Sequence, residues 1–390
     1  MNLTRETYLE IDLDIINKNI CEIKKYISKN TKLAIVVKAD AYGHGAVELC
    51  KNIDKENVDY ICVAAISEAF ELRENNIDLP ILVMGYIPDN YLELAIEKNI
   101  TITVFSTKQA NIINGICKKK NIKGRIHIKI DTGFNRLGFK INESTIEDIK
   151  SIINLEHIFV EGIFSHLALK DKISDYEQFN KFKNILDEIS KYKDIPIKHI
   201  CDSIGMVAYE DFHLDMVRIG SSIYGYNSRK SNLNLCEAIT FKSKIIQVKR
   251  LLKGEGVSYD YSYIANKDMN IGIIPCGYAD GIPRCLSNKG YVYVNNKKCN
   301  IIGKICMDQM IIDISGINES DYEKDVVFYG KNGPNILEIG NLCDTNRNEI
   351  LVLTSRRVDK VYLKNNKIIK SLNYIMGMIN YDISKAVKRG

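Results

Sequence analysis

Lys38 stands in VVKADAYGHG (residues 36–45), directly after an apolar run and before a bend through Tyr42, Gly43 and Gly45. A primary amine held in an apolar mouth near other cations is driven toward its neutral, nucleophilic form. Keeping a lysine of pKa about 10.4 neutral at pH 7 costs roughly 4–5 kcal/mol, which the surroundings supply unless a covalent imine replaces the amine. Imine formation with an aldehyde is the chemistry this suggests, against the alternative of a hydrated lysine at a strand end. Other polar residues fall at comparable places. Lys129 and Arg136 lie in and after RIHIKIDTG, His166 closes IFVEGIFSH, Ser203 closes IKHICDS, and Arg218, Gly220 and Ser221 lie in MVRIGSSIYGY. The Ser203 hydroxyl with the backbone N–H groups of Gly220 and Ser221 suits a phosphate ester, and Tyr42 adds a further donor. Taken alone, His166 reads more often as a hydrogen-bonded core histidine than as a site residue.

The elements that would position these residues are legible as a string. Between residues 33 and 226 eight β-rich runs recur, and many intervals carry a helical pattern, as in YEQFNKFKNILDEISKY with Phe179, Phe182, Ile185 and Leu186 at helical spacing. Strands alternating with helices imply parallel pairing, in a closed (β/α)8 barrel or in an open doubly wound sheet. The barrel is the better fit. In it the polar residues above cluster at the C-terminal strand ends, with Ser203 and Gly220 after strands seven and eight, where barrels commonly hold a phosphate. After residue 230 short alternating strands separated by VNNK and GKNG turns predict a mainly antiparallel β domain. The expected fold is an N-terminal (β/α)8 TIM barrel over 8–230 followed by a β domain over 231–363 together with 1–7, and a Lys- and Asn-rich extension over 364–390.

Composition narrows the function classes. With 390 residues, 45% hydrophobic, the chain can bury substantial cores. Its 54 basic and 49 acidic side chains are nearly balanced, and CKKKNIKGR (117–125) is too short a basic run for a nucleic-acid stripe. No apolar stretch approaches the roughly 18 residues that span a bilayer, and the N-terminus lacks the core of a signal peptide. Eleven cysteines without a CxxC pair indicate a reducing, cytoplasmic setting, and six histidines without HExxH or HxH speak against a metal site.

VVKADAYGHG resembles the pyridoxal phosphate attachment motif of alanine racemases across the whole stretch. The resemblance continues through HIKIDTGFNRLGF, GIFSHLA, CDSIG, VRIGSSIYGY, GEGVSYD, GYADGIPR and GKICMDQMIID, in the family's order, over residues 5 to 362. It implies a cofactor, pyridoxal 5'-phosphate, linked to Lys38. Tyr42, Ser203, Gly220 and Ser221 would hold its phosphate, His166 would pack on its ring and Arg218 would face the ring nitrogen. Arginine only donates, so it keeps that nitrogen unprotonated and the carbanion short-lived. Racemisation needs a base on each face of the Cα. The family supplies Lys38 for one and, from VSY, Tyr259 for the other, presented by a partner chain in a head-to-tail homodimer with shared active sites. An ordinary tyrosine costs about 4 kcal/mol to ionise at pH 7, so positive neighbours are required, and Arg218 acting through His166 is the expected source. By resemblance Arg136 and the Met307 N–H face the substrate carboxylate, and Lys129 takes the position of a carbamylated lysine.

Two departures bear on substrate. Asp202-Ser203 replaces the family's usual Asn-Ser and puts an acid near the cofactor, and Asn348 stands where a pocket tyrosine is usual. A smaller amide makes room for a hydroxyl, so serine joins alanine as an expected substrate. The resemblance thus implies interconversion of L- and D-alanine for cell-wall peptidoglycan, with serine or serine/alanine racemisation as the alternative. A basic amino-acid decarboxylase and a non-catalytic pyridoxal phosphate carrier are the other readings. The AYGHG and VSY pairing opposes the first, and the chain beyond the last barrel strand opposes the second.

Overall fold

The computed structural model describes residues 3–227, 229 and 231–378. Two compact units emerge. One comprises Ile16–Ala41 and Ala46–Cys236; the other takes in the described residues up to Ile15, Tyr42–Gly45, and those from Glu237 onward.

The first unit is the barrel. Its parallel strands are Lys32–Val36, Tyr60–Val63, Ile81–Val83, Ile100–Val104, Gly124–Asp131, Ile158–Phe164, Ile197–His199 and Met216–Ile219. The first seven pair in that order, and Met216–Ile219 pairs back with Lys32–Val36. The seam between the last two strands is joined by backbone bonds from Asp215 to Lys198 and from Arg218 to Cys201, both 3.0 Å. Several strands are apolar and buried throughout, Tyr60–Val63 and Ile81–Val83 among them, as strands covered on both faces must be. Helices between them are started by side-chain caps: Ser106 Oγ accepts from the Gln109 amide and Asp171 from that of Ser174.

The second unit is built on a seven-stranded sheet ordered Lys297–Asn300, Tyr291–Val294, Val326–Tyr329, Ile239–Ser243, Tyr8–Asp12, Asp359–Lys364, Lys367–Leu372. All its neighbours are antiparallel except Tyr8–Asp12 with Asp359–Lys364. Gln247–Leu251, Met269–Ile274 and Met310–Asp313 form a separate antiparallel sheet. The VNNK turn is a tight hairpin with Asn295 and Asn296 at φ 46° and 60°, the left-handed pair that matches strand twist. Two details depart from the sequence expectation. Tyr8–Asp12, expected with the barrel, pairs instead with strands of this sheet, because its alternating residues complete the sheet between Ile239–Ser243 and Asp359–Lys364. AITFKSKIIQVKRL is two strands in two sheets, broken after Ser243 with no Gly or Pro to mark it. Within the extension, Lys367–Leu372 adds an edge strand and Tyr374–Met378 a short helix, while 379–390 lie outside the described residues.

Candidate active site

Beyond the first barrel strand the backbone turns left-handed. Ala39, Asp40, Ala41 and Tyr42 all have φ between 51° and 55°, a conformation that costs a side-chain-bearing residue about 1–2 kcal/mol. Acids anchor the turn. One Glu68 oxygen accepts from the Ala39 amide at 2.6 Å and the other from Ala64 and Ala65 at 2.8 and 3.0 Å, while Asp40 Oδ1 accepts from the Ala46 amide at 2.7 Å. The strain fixes where Lys38 leaves the strand. Burial lowers the Lys38 pKa, as does the Arg136 charge, with Glu68 and Asp202 opposing them.

Lys129 and Arg136 join His166 around a small pocket also lined by Asp131, Phe134 and Ser165. The Lys129 amine lies 4.3 Å from the centre of the Phe164 ring, and the Arg136 guanidinium 4.3 Å from that of Phe134, whose ring meets His166 at 5.1 Å. Burial lowers the Lys129 pKa far below the lysine range, and Arg218 and Arg136 add to it. Burial, then Arg218, Lys129, Arg136 and Lys38, push His166 down to about 2. The sequence expectation had Arg218 act through His166. Their link is Coulombic: the Arg218 guanidinium donates to His199 Nδ1 at 2.7 Å and to the carbonyls of Ser165 and Ile200 at 3.0 Å.

After the last two strands, the Gly220 N–H donates to Ser203 Oγ at 3.0 Å and Ser222 N–H approaches the same oxygen at 3.5 Å. With its lone pairs used, the Ser203 hydroxyl proton remains to be donated outward. Ser222 Oγ is buried without a partner among the described residues. These groups fit a phosphate, whose acceptor oxygens would satisfy them. Asp202 places its negative charge near Lys38, as expected, and has a second role. Its carboxylate accepts from the Ile204 and Gly205 amides, both at 2.9 Å, and so caps the helix Ser203–Ala208.

The remaining expected residues belong to the other compact unit. Tyr42 ends the left-handed turn. Tyr259 is 62% exposed on a turn made rigid by left-handed Ser258, Asp260 and Tyr261 and by a Lys304–Asp260 ion pair. Met307 is exposed, and among the described residues its amide N–H donates to no other group. Asn348 sits in the first turn of Arg347–Val352, where its own N–H is capped by Asn346 and its side-chain oxygen is buried without a donor among the described residues.

Sequence reasoning missed Glu68, His127, His199 and Glu161. A signal existed in HIKID, where His127, Lys129 and Asp131 alternate with isoleucine and so share one strand face.

The buried imidazoles predict acid lability. Burial is the largest cause lowering His127, His166 and His199, so each stays neutral when folded. On unfolding each regains proton affinity near pH 6.5, so the unfolded chain binds more protons below that pH, and stability present above it is lost as pH falls. His166 and His199, held far below that value, should together cost about 3 kcal/mol between pH 7.5 and 5.5. Urea unfolding at the two values checks this; an unchanged or higher midpoint at pH 5.5 refutes neutral buried histidines.

Comparison with known proteins follows the same lines. Residues 11–228 match the alanine racemase N-terminal domain and residues 238–362 the alanine racemase C-terminal domain. The chain belongs to the alanine racemase family. It is 36% identical over 370 residues to an alanine racemase of Halothermothrix orenii, covering 92% of this chain and 97% of that one. Among solved structures, alanine racemase of Clostridium difficile superposes with a TM-score of 0.91 at 37% identity, covering 96% of this chain and all of that one. The family member from Bartonella henselae, solved with covalently bound pyridoxal phosphate, superposes with a TM-score of 0.82 at 27% identity over 92% of this chain and 99% of its own.

Proposed function

We propose that the protein is a pyridoxal phosphate-dependent alanine racemase that interconverts L- and D-alanine with two bases. The observation that carries this is the barrel mouth itself. A lysine of lowered pKa, a donor-only arginine held on three acceptors, and a cradle with an unsatisfied hydroxyl share one unit whose sequence matches the family. Bound pyridoxal phosphate supplies an electron sink that acidifies the substrate Cα–H. Lys38 holds the cofactor and then takes or returns a proton on the face that serves the D-isomer. Tyr259 does the same for the L-isomer. Ser203, Gly220, Ser221 and Tyr42 would bind the phosphate, and His166 would pack on the ring. Arg218, which donates only, would leave the ring nitrogen without a proton. Arg136 and the Met307 N–H orient the substrate carboxylate. The buried, depressed Lys129 amine is suited to take up carbon dioxide as a carbamate, which would give Arg136 an anionic partner. The barrel and the β unit are two domains, and two chains pair head to tail so that the exposed Tyr259 of each completes its partner's barrel. The setting is the cytoplasm, and the product serves peptidoglycan. Chirality change measured on a panel of L-amino acids tests the reading. Carbon dioxide release from lysine, ornithine or diaminopimelate would favour a decarboxylase instead.

Serine as a second substrate is supported by the orphaned Asn348 oxygen, an acceptor for a β-hydroxyl. A buried hydroxyl without a partner costs about 1–3 kcal/mol. Asn348→Tyr fills that space and removes the amide. The ratio of kcat/KM for L-serine to that for L-alanine should fall about tenfold, or about 1.4 kcal/mol, in this variant. An unchanged ratio in a folded, cofactor-loaded variant removes Asn348 from the substrate pocket.

A further inference from the structure

Arg218 begins a line of buried side chains that runs away from the site into the barrel. Its guanidinium donates to His199 Nδ1, His199 Nε2 lies 2.9 Å from His127 Nδ1, and His127 Nε2 lies 3.6 Å from Glu161 Oε2. Both imidazoles are fully buried. Proton positions along this line follow from the arginine. A guanidinium has no acceptor, so His199 Nδ1 must accept and its proton sits on Nε2. His199 then donates to His127 Nδ1, which places the His127 proton on Nε2, facing the carboxylate. Beyond hydrogen-bond length of Glu161, that N–H has no other partner among the described residues. Reversing either imidazole would set two N–H groups, or two lone pairs, against each other.

The chain builds this end on purpose-shaped backbone. In the pairing of Gly124–Asp131 with Ile158–Phe164, Ile126 stands opposite Val160 and His127 opposite Gly162, so Glu161 is the extra residue of a β-bulge. Bulges re-aim one side chain out of the regular alternation. Gly162 leaves space for the imidazole: a Cβ there would lie 2.5 Å from His127 ring atoms. Thr101 Oγ1 and Arg125 Nη1 donate to the same carboxylate at 3.3 and 3.2 Å. Burial works to raise the Glu161 pKa, but the facing His127 ring, the Tyr60 hydroxyl and the Arg125 charge outweigh it and hold it at about 2.

We propose that Glu161 is a positioning residue for Arg218: its carboxylate, facing the outermost N–H of a donor line that starts at the guanidinium, favours the His127 tautomer that the line requires and so helps hold His199 and the guanidinium in place. This rests on the role given to Arg218 above, but its test is independent of turnover. In the cofactor-loaded full chain with 15N-labelled histidine, both His127 and His199 should carry their proton on Nε2 alone. Glu161→Leu, which removes the acceptor, should show mixed tautomers at His127 and a kcat for alanine lowered about tenfold at constant KM, a barrier change of about 1.4 kcal/mol. Glu161→Gln, which keeps a carbonyl acceptor, should restore both. A folded Leu variant with wild-type tautomers or wild-type kcat overturns the proposal. If that variant does not fold, the wild-type spectrum decides: protons on Nε2 of both rings support the line, and a proton on Nδ1 of His127 overturns it. Absence of racemisation in wild-type protein would reject the function above while leaving the tautomer result to stand or fall alone.

Discussion

Lys38→Ala should lower alanine racemisation by about 10⁴-fold, the upper end of what a positioned proton-transfer group supplies. It should also abolish the covalent cofactor link. The argument is one of place rather than of basicity alone. Two lysines of the barrel, Lys38 and Lys129, have lowered pKa values. Depression alone would therefore not choose between them. Lys38 is the one released from its strand by a strained left-handed turn whose first amide, that of Ala39, is held by Glu68, so its direction is set by the backbone. Lys129 lies within a strand, its amine over the Phe164 ring. Borohydride reduction of loaded protein followed by peptide mapping should find the label on Lys38. A label on Lys129, or an alanine variant that keeps its yellow colour and its rate, refutes the assignment.

Mixing Lys38→Ala chains with Tyr259→Phe chains, each inactive alone, should restore activity. In a head-to-tail pair both defects of a hybrid fall in one site and the other is intact. Random exchange makes half the dimers hybrid, so recovery should approach about a quarter of the wild-type rate. The structural basis is the presentation of Tyr259: exposed, on a turn whose Ser258 hydroxyl donates to the Lys304 carbonyl at 2.6 Å and whose Gly256 leaves room for the Tyr261 ring. Such a rigid turn offers its hydroxyl outward at small entropic cost. Activity at the level of the separate variants after verified subunit exchange means that each site is built within one chain.

The sequence showed the barrel clearly because parallel strands buried on both faces read as unbroken apolar runs, and helical intervals separate them. It nominated candidate cofactor residues because they lie within or just after such runs. Other features left no local mark. Alanine and tyrosine disfavour the left-handed region, so the turn after Lys38 is held by Glu68 from elsewhere in the chain and by the bond of Asp40 to the Ala46 amide. Glu161 stands 34 positions from His127, and only the bulge turns it toward that ring. Asp202 read as a charge only; that it also caps a helix is a matter of backbone geometry that composition does not display.

The central claim is that two different groups exchange protons on opposite faces of one carbon. L-alanine incubated with the loaded protein in deuterium oxide, and sampled early, tests it by the isotope at Cα of each enantiomer. D-alanine that is deuterated while the remaining L-alanine keeps its proton is the predicted result, because the group that delivers is not the one that removed. D-alanine that retains the original proton, or no D-alanine at all, would contradict it.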